Sequence, residues 1–284
     1  MSAQKSLDHF VLAVSDLEAS AQSYRRLGFN VRPIARHSHL GSANCVIHFP
    51  TTYLEIAFLS ASPVGADYMS RIELGDGLAH VSLTSDDLKA EQEVLRDNGY
   101  EPGEIYSASR KIVTPDGGEA ETASNFFYCW REDNKYLSLF FSEHLKPETI
   151  FIPAFEDHAN TAIGVKRLVY MSERPDHDVH YFSSFFRSKP IQENDDGFVM
   201  RGTRGELTEV LSVGAARQRY GESLVAASPA PLEGFGIAMH YGVKDRNACA
   251  RVLDEAGVNH RMLGDSLMVP AADACGCVVV FESA

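Results

Sequence analysis

Apolar and polar residues alternate from Leu7 to Ala13, break at Asp16, and recur at helical spacing as far as Leu27. A period of two marks a strand, and a spacing of three to four marks an amphipathic helix. Asp16 stands where an N-cap side chain would accept the first free amides of that helix, and Gly28 where a left-handed residue would end it. The pattern then returns. In one ungapped register LDHFVLAVSDLEASAQSYRRLGFNV, from Leu7, lies over LAHVSLTSDDLKAEQEVLRDNGYEP, from Leu78. Leu7 meets Leu78, His9 meets His80, Asp16 meets Asp87 and Gly28 meets Gly99.

The closing strands repeat as well. TTYLEIAFL from Thr51 aligns with NKYLSLFFS from Asn134, which pairs Tyr53 with Tyr136 and sets Glu55 opposite Ser138. CVIHF and NFFYCW read as further strands, and Pro115-Asp116-Gly117-Gly118 as a turn. The unit is therefore βαβββ, and an internal repeat of this length governs the whole fold. A later copy starts at Ile237, with Asp245 in the Asp87 position, Gly257 in the Gly99 position and CVVVFE as its last strand. The remaining copy, Val165 to about Val213, is the weakest and is assigned partly by counting.

The expected fold class is α+β, with four βαβββ modules paired into two tandem domains. The first spans 1–145 with modules 6–60 and 77–142, a connection follows at 146–161, and the second spans 162–284 with modules 162–213 and 234–284. A chain of 284 residues suits two domains.

Composition removes several function classes. With 44% hydrophobic and 23% charged residues the chain is an ordinary globular protein, and no apolar run is long enough to span a membrane. The first residues lack a secretory pattern, so a cytoplasmic location is expected. A net charge of −13 repels phosphate backbones, which argues against a nucleic-acid partner. Five cysteines in no metal-site spacing read as reduced thiols, and Cys275-Gly-Cys277 as part of a buried strand rather than a redox pair. Gly117-Gly118 lies outside any phosphate-cradling motif.

Four paired βαβββ modules, with a histidine on the first strand of each N-terminal module and a glutamate on a last strand, resemble the vicinal oxygen chelate superfamily, which includes glyoxalases, bleomycin-resistance proteins and extradiol dioxygenases. The likeness to glyoxalase-like domain proteins rests on LDHFVLAVSDLEA, on ARHSHLGSANCVIHFPTTYLEIAFL, and on EHLKPE followed by His158 and Asn160. It implies two cupped sheets of the glyoxalase/dihydroxybiphenyl dioxygenase type. It also implies ligand slots for a divalent metal at His9, Glu55, His80 and Ser138. Ser138 is a poor ligand, which departs from the glyoxalase I pattern. Iron, zinc, manganese and nickel all accept two imidazoles and one carboxylate.

A lone strand histidine is more often a satisfied core residue than a ligand, but the equivalence of His9 and His80 across the repeat, with Glu55 in its slot, favours metal. In the second half Ala238 replaces His80, the segment Arg167 to Val169 replaces His9, and Glu209 takes the Glu55 slot without a partner. That half reads as metal-free. The sequence leaves three uses open for it: covering the first cup, pairing two copies into a homodimer, or holding a substrate tail. His37, Asn44, Arg110, Ser138 and His144 are further candidates to line the pocket, Arg110 as a fork for a carboxylate or phosphate and His144 as a general base. The expected function is a metal-dependent lyase, isomerase or ring-cleavage dioxygenase acting on a small metabolite with vicinal oxygens. The alternative is a metal-free binding or sequestering protein of the bleomycin-resistance type, gripping an aromatic ligand through Phe, Tyr and Trp130.

Overall fold

A computed structural model describes residues 3–37, 42–59, 75–131, 138–224 and 235–284. Its first module runs β1 (Leu7–Ala13), α1 (Leu17–Arg26), β2 (Ala35–Arg36), β3 (Ser42–His48) and β4 (Tyr53–Leu59). The second runs β5 (Gly77–Thr84), α2 (Leu88–Asp97), β6 (Tyr106–Ala108), a side hairpin of β7 (Lys111–Val113) and β8 (Glu119–Glu121), β9 (Ser124–Tyr128) and β10 (Ser138–His144). These strands form an 8-stranded sheet in the order β2-β3-β4-β1-β5-β10-β9-β6. The two first strands meet antiparallel at its centre, and each is flanked by its own closing strand in parallel. Each module thus lies on one side of a pseudo-twofold axis between β1 and β5.

The second half repeats the plan. Its elements are β11 (Ala162–Ser172), α3 (Pro175–Phe186), β12 (Gln192–Asn194), β13 (Gly197–Arg201), β14 (Leu207–Ser212), α4 (Val213–Tyr220), β15 (Phe235–Val243), α5 (Arg246–Glu255), β16 (Arg261–Leu263), β17 (Ser266–Val269) and β18 (Val278–Ser283). The sheet order is β12-β13-β14-β11-β15-β18-β17-β16. The architecture is the α+β tandem arrangement that the repeat implies.

The helix boundaries follow from local chemistry. Asp16, Asp87 and Asp245 each accept amides of the first turn of their helices, and Gly28, Gly99 and Gly257 follow the last turns with positive φ. Leu7, Phe10 and Leu12 turn to the helical side and join one apolar core shared by both halves, in which the Phe29 ring lies 5.0 Å from Tyr241. The seam is tight: a Cβ on Gly276 would lie 1.8 Å from the Asp76 carbonyl oxygen. Across 145–161 the chain packs rather than hangs free. Ile150, Ile152 and Phe155 are buried, the His158 ring bonds the Asn30 amide and the His48 carbonyl, and Asn160 bonds the Leu27 carbonyl. No described helix is long and apolar enough to cross a membrane.

The two concave faces differ. Over the second sheet, Ala216 and Tyr220 of α4 pack on Val169, Met171, Leu211, Ala238 and Val278, so the chain itself covers the middle of that face, leaving a polar recess beside Glu209 and Arg219. Over the first sheet a cavity remains.

Candidate active site

The cavity, about 90 Å³, is lined by His9, His37, Asn44, Tyr53, Glu55, Arg110, Ser124, Phe126, Tyr128, Phe140 and His144 among others. A single water needs roughly 10–15 Å³ measured the same way, so the space suits a small organic molecule.

His9 lies on β1 opposite Tyr53 of β4, and its ring stacks on the tyrosine with centroids 4.4 Å apart. The pairing of β1 with β5 slips between Leu7 and His9. Such a bulge re-aims a side chain. Here it brings the Asp8 carboxylate to the His9 side of the sheet, where Oδ1 accepts from His9 Nδ1 at 2.6 Å and from His144 Nε2 at 2.9 Å. Asp8 is buried, which alone would raise its pKa, but the hydrogen bonds from His144 and His9 outweigh burial and hold it well below the ordinary carboxylate range. An ionised carboxylate only accepts, so both ring nitrogens facing it carry protons. In a neutral His9 ring, Nε2 then holds the lone pair.

That nitrogen faces Glu55 Oε2 at 3.7 Å, beyond hydrogen-bond range. Asn44 Nδ2 donates to the other Glu55 oxygen at 2.5 Å and fixes the carboxylate's orientation. His37 Nδ1 meets the Ser42 hydroxyl at 2.7 Å, and burial lowers the His37 pKa. Ser124 Oγ meets His144 Nδ1 at 2.8 Å, which leaves both nitrogens of that ring engaged. Cys45, on the neighbouring strand, belongs to the apolar core and does not line the cavity, and burial pushes its thiol up to about 12, which opposes thiolate formation.

Of the expected residues, His9, Glu55, His37, Asn44, Arg110 and His144 converge on this cavity; His80 and Ser138 are not among its lining residues. His80 is packed edge-on to Trp130, with centroids 5.0 Å apart, and against Tyr128 at 5.9 Å. Ser138 is buried opposite His80 in the parallel pair. The strand register also corrects the sequence alignment. Ser138 corresponds to Tyr53, each paired with the first-strand histidine of its module, and Phe140 takes the position of Glu55. A two-residue shift leaves every side chain on its original face, so the hydrophobic pattern could not detect it. Tyr136 lies outside the described residues.

Among the described residues one group of three metal-capable side chains clusters: Asp8, His9 and His144. Two donors bound to one cation at roughly 2.0–2.2 Å, a right angle or more apart, lie about 2.9 Å or more from each other. The Asp8–His9 contact of 2.6 Å is shorter than that and has the character of a hydrogen bond. His9 Nε2 and Glu55 Oε2 are the donors whose separation leaves room for an ion. Asp8 had no place among the expected site residues. An acid directly before a histidine on an otherwise apolar strand was the available signal.

The equivalent carboxylate in the second sheet is Glu209, paired with Val169 as Glu55 is with Val11. It is not unpartnered, as the sequence suggested. Arg167, in the His9 position, donates to it at 2.6 Å, and Arg219 of α4 donates twice, at 2.7 and 3.1 Å.

The model of the glyoxalase-like domain family matches residues 7–184. No curated protein matches the chain. Solved structures do. A hypothetical protein from Staphylococcus aureus aligns over 98% of this chain and 99% of its own at 11% identity, with a TM-score of 0.68. A mutant of 4-hydroxymandelate synthase from Streptomyces coelicolor aligns over 99% and 92% at 12% identity, with a TM-score of 0.63. A xylose isomerase-like TIM barrel/4-hydroxyphenylpyruvate dioxygenase fusion protein aligns over all of this chain and 50% of its own, at 13% identity and a TM-score of 0.61. At such identities these likenesses establish a shared fold. With the repeat, the cupped sheet and the family match over more than half its length, the chain belongs to the glyoxalase-like domain family.

Proposed function

We infer that the chain is an enzyme for a small metabolite bearing neighbouring oxygens, with a divalent cation held between His9 and Glu55. The observation that carries this reading is the pair His9 Nε2 and Glu55 Oε2, facing each other at 3.7 Å, with Asp8 fixing the opposite ring nitrogen. A carboxylate that holds the far side of a ligating imidazole sets its tautomer and raises its basicity. When bound, the cation would polarise a substrate oxygen and stabilise negative charge developing there. The chain's own groups do the rest. Asn44 keeps Glu55 turned to the cavity, Tyr53 and Phe140 fix the plane of the His9 ring, and Phe126, Tyr128 and Phe140 exclude water on the opposite wall.

Lyase, isomerase and dioxygenase chemistry all use such a site. The fold likeness to 4-hydroxymandelate synthase and the 4-hydroxyphenylpyruvate dioxygenase fusion keeps oxygenation among them. The test is elemental analysis of protein purified without oxygen, with calorimetric titration of Mn²⁺ and Zn²⁺ into the chelated form. About one ion per chain is expected, lost in His9→Ala and Glu55→Ala. An unchanged metal content in both variants would overturn the reading. One observation favours the alternative of a metal-free binding protein: His80, the third expected ligand, is packed against Tyr128 and Trp130 and does not line the cavity. A melting temperature indifferent to chelator would support it.

A further inference from the structure

Two arginines are buried among the described residues, Arg110 and Arg131. Arg131 has its counter-ion, Asp178 at 2.6 Å. Arg110 has none: among the described residues its guanidinium makes no hydrogen bond and no ion pair, although the residue is only 8% exposed and lines the cavity. Its backbone is pinned, the amide donating to the Thr122 hydroxyl and the carbonyl accepting from the Thr122 amide, with a bridge to His37 on the far side. Burial pulls its pKa down, and Glu55 attracts it across the cavity without touching it. A permanently charged group is thus largely buried at the cavity wall, with five N–H donors in a planar fork and no acceptor for them among the described residues. Buried charge is stable when paired.

We propose that Arg110 binds the carboxylate of the substrate, so that the site takes a small monocarboxylic acid. The charge balance selects the anion. Arg110 is the sole Lys or Arg among the described lining residues, while Glu55 and Asp8 place carboxylates in the same site. One fixed cation neutralises one unit charge, and its fork matches a planar carboxylate through two parallel bonds. A phosphate monoester, with a charge of about −1.5 to −2, would bring excess negative charge toward Glu55. The body of the acid lies along Phe126, Tyr128 and Phe140, and its far end points toward His9. Only that far end rests on the metal reading above; the anion end stands on Arg110 alone.

The test is calorimetric titration of benzoate, its neutral isostere benzamide, acetate and inorganic phosphate into the full chain, in the presence of chelator so that no cation contributes. Benzoate is expected to bind at least ten times more tightly than benzamide. Arg110→Gln is expected to weaken benzoate thirtyfold or more, and Arg110→Lys, which keeps the charge and loses the fork, about tenfold. If Arg110→Gln fails to fold, the comparisons of Arg110→Lys with wild type and of benzoate with benzamide carry the test. Equal binding of benzamide, unchanged benzoate binding in the variants, or no binding of either acid would overturn the proposal. Phosphate binding tighter than benzoate would overturn the carboxylate assignment. Because chelator is present throughout, these outcomes are separate from the metal content of the His9 and Glu55 variants.

Discussion

Arg167 donates to Glu209 at 2.6 Å in the second sheet, in the register positions that His9 and Glu55 hold in the first. One scaffold therefore solves the same problem, a carboxylate inside a cup, in two ways. In one sheet guanidinium groups sit on the acid; in the other the space beside it is left open to the cavity.

The Glu209 pairing carries a pH signature. Burial would raise the Glu209 pKa, but the bonds from Arg219 and Arg167 outweigh it and lower the value. A depressed carboxylate contributes stability that is fully present above the unfolded value, about 4.3, and is lost as pH falls through the folded one. Urea denaturation of Glu209→Gln is expected to show a weaker acid dependence than wild type below about pH 5. Arg167→Met, which leaves Arg219 in place, is expected to cost about 1–2 kcal/mol at pH 7.

Asp8 holds two imidazoles, so its loss is felt by both. Asp8→Ala leaves the His9 and His144 protons without their acceptor in a buried site, at a cost of roughly 2–4 kcal/mol. Asp8→Asn preserves shape but brings its own donors, and nitrogen-15 spectra are expected to show the His9 proton moving from Nδ1 to Nε2. Affinity for Mn²⁺ or Zn²⁺ should fall by about 10- to 100-fold in that variant. An unchanged tautomer would show that Asp8 does not set it.

His48 supplies a second acid sensitivity. Burial first, then the nearby Arg110, brings its pKa down to about 4 from the ordinary 6.5. The unfolded chain therefore takes up the proton before the folded one does. Stability from this group is complete above pH 6.5 and declines as pH falls toward 4, by on the order of 3 kcal/mol over that span. His48→Gln is expected to flatten the stability curve between those limits, as read by urea midpoints at half-unit pH steps.

Gly276 sits at the seam between the halves with φ of 76°, and a Cβ there would meet the Asp76 carbonyl at 1.8 Å. Gly276→Ala is expected to destabilise by more than about 2 kcal/mol, since the backbone must move and the conformation disfavours a side chain. Gly264→Ala, also at positive φ but with open space around it, is the control and should cost less.

The sequence was legible where local chemistry repeats. The aspartate caps and glycine terminators of α1, α2 and α5 announce their helices, and the ungapped register between Leu7 and Leu78 carries the pairing of β1 with β5. The helix α3 was obscure for a physical reason. It begins at Pro175 with no side-chain cap and ends at Arg187, a non-glycine residue with φ of 56°. At the site, His9 could be read from its repeat position and Glu55 from the family resemblance, while Asp8 could not, because strict alternation assigns it to the opposite face and only the bulge returns it. His80 shows the converse: an equivalent position does not ensure equivalent surroundings, and here Tyr128 and Trp130 pack against the ring.

The apolar core shared by the two halves has a consequence for how this molecule comes apart. Phe10, Phe29, Tyr241 and Phe281 belong to one cluster although they come from opposite halves of the chain. Neither sheet can expose its helical face without stripping the other. Calorimetry is therefore expected to record one cooperative melting transition instead of two. Damage to the packing of α4 on the second sheet would then lower the melting temperature of the open cup in the first.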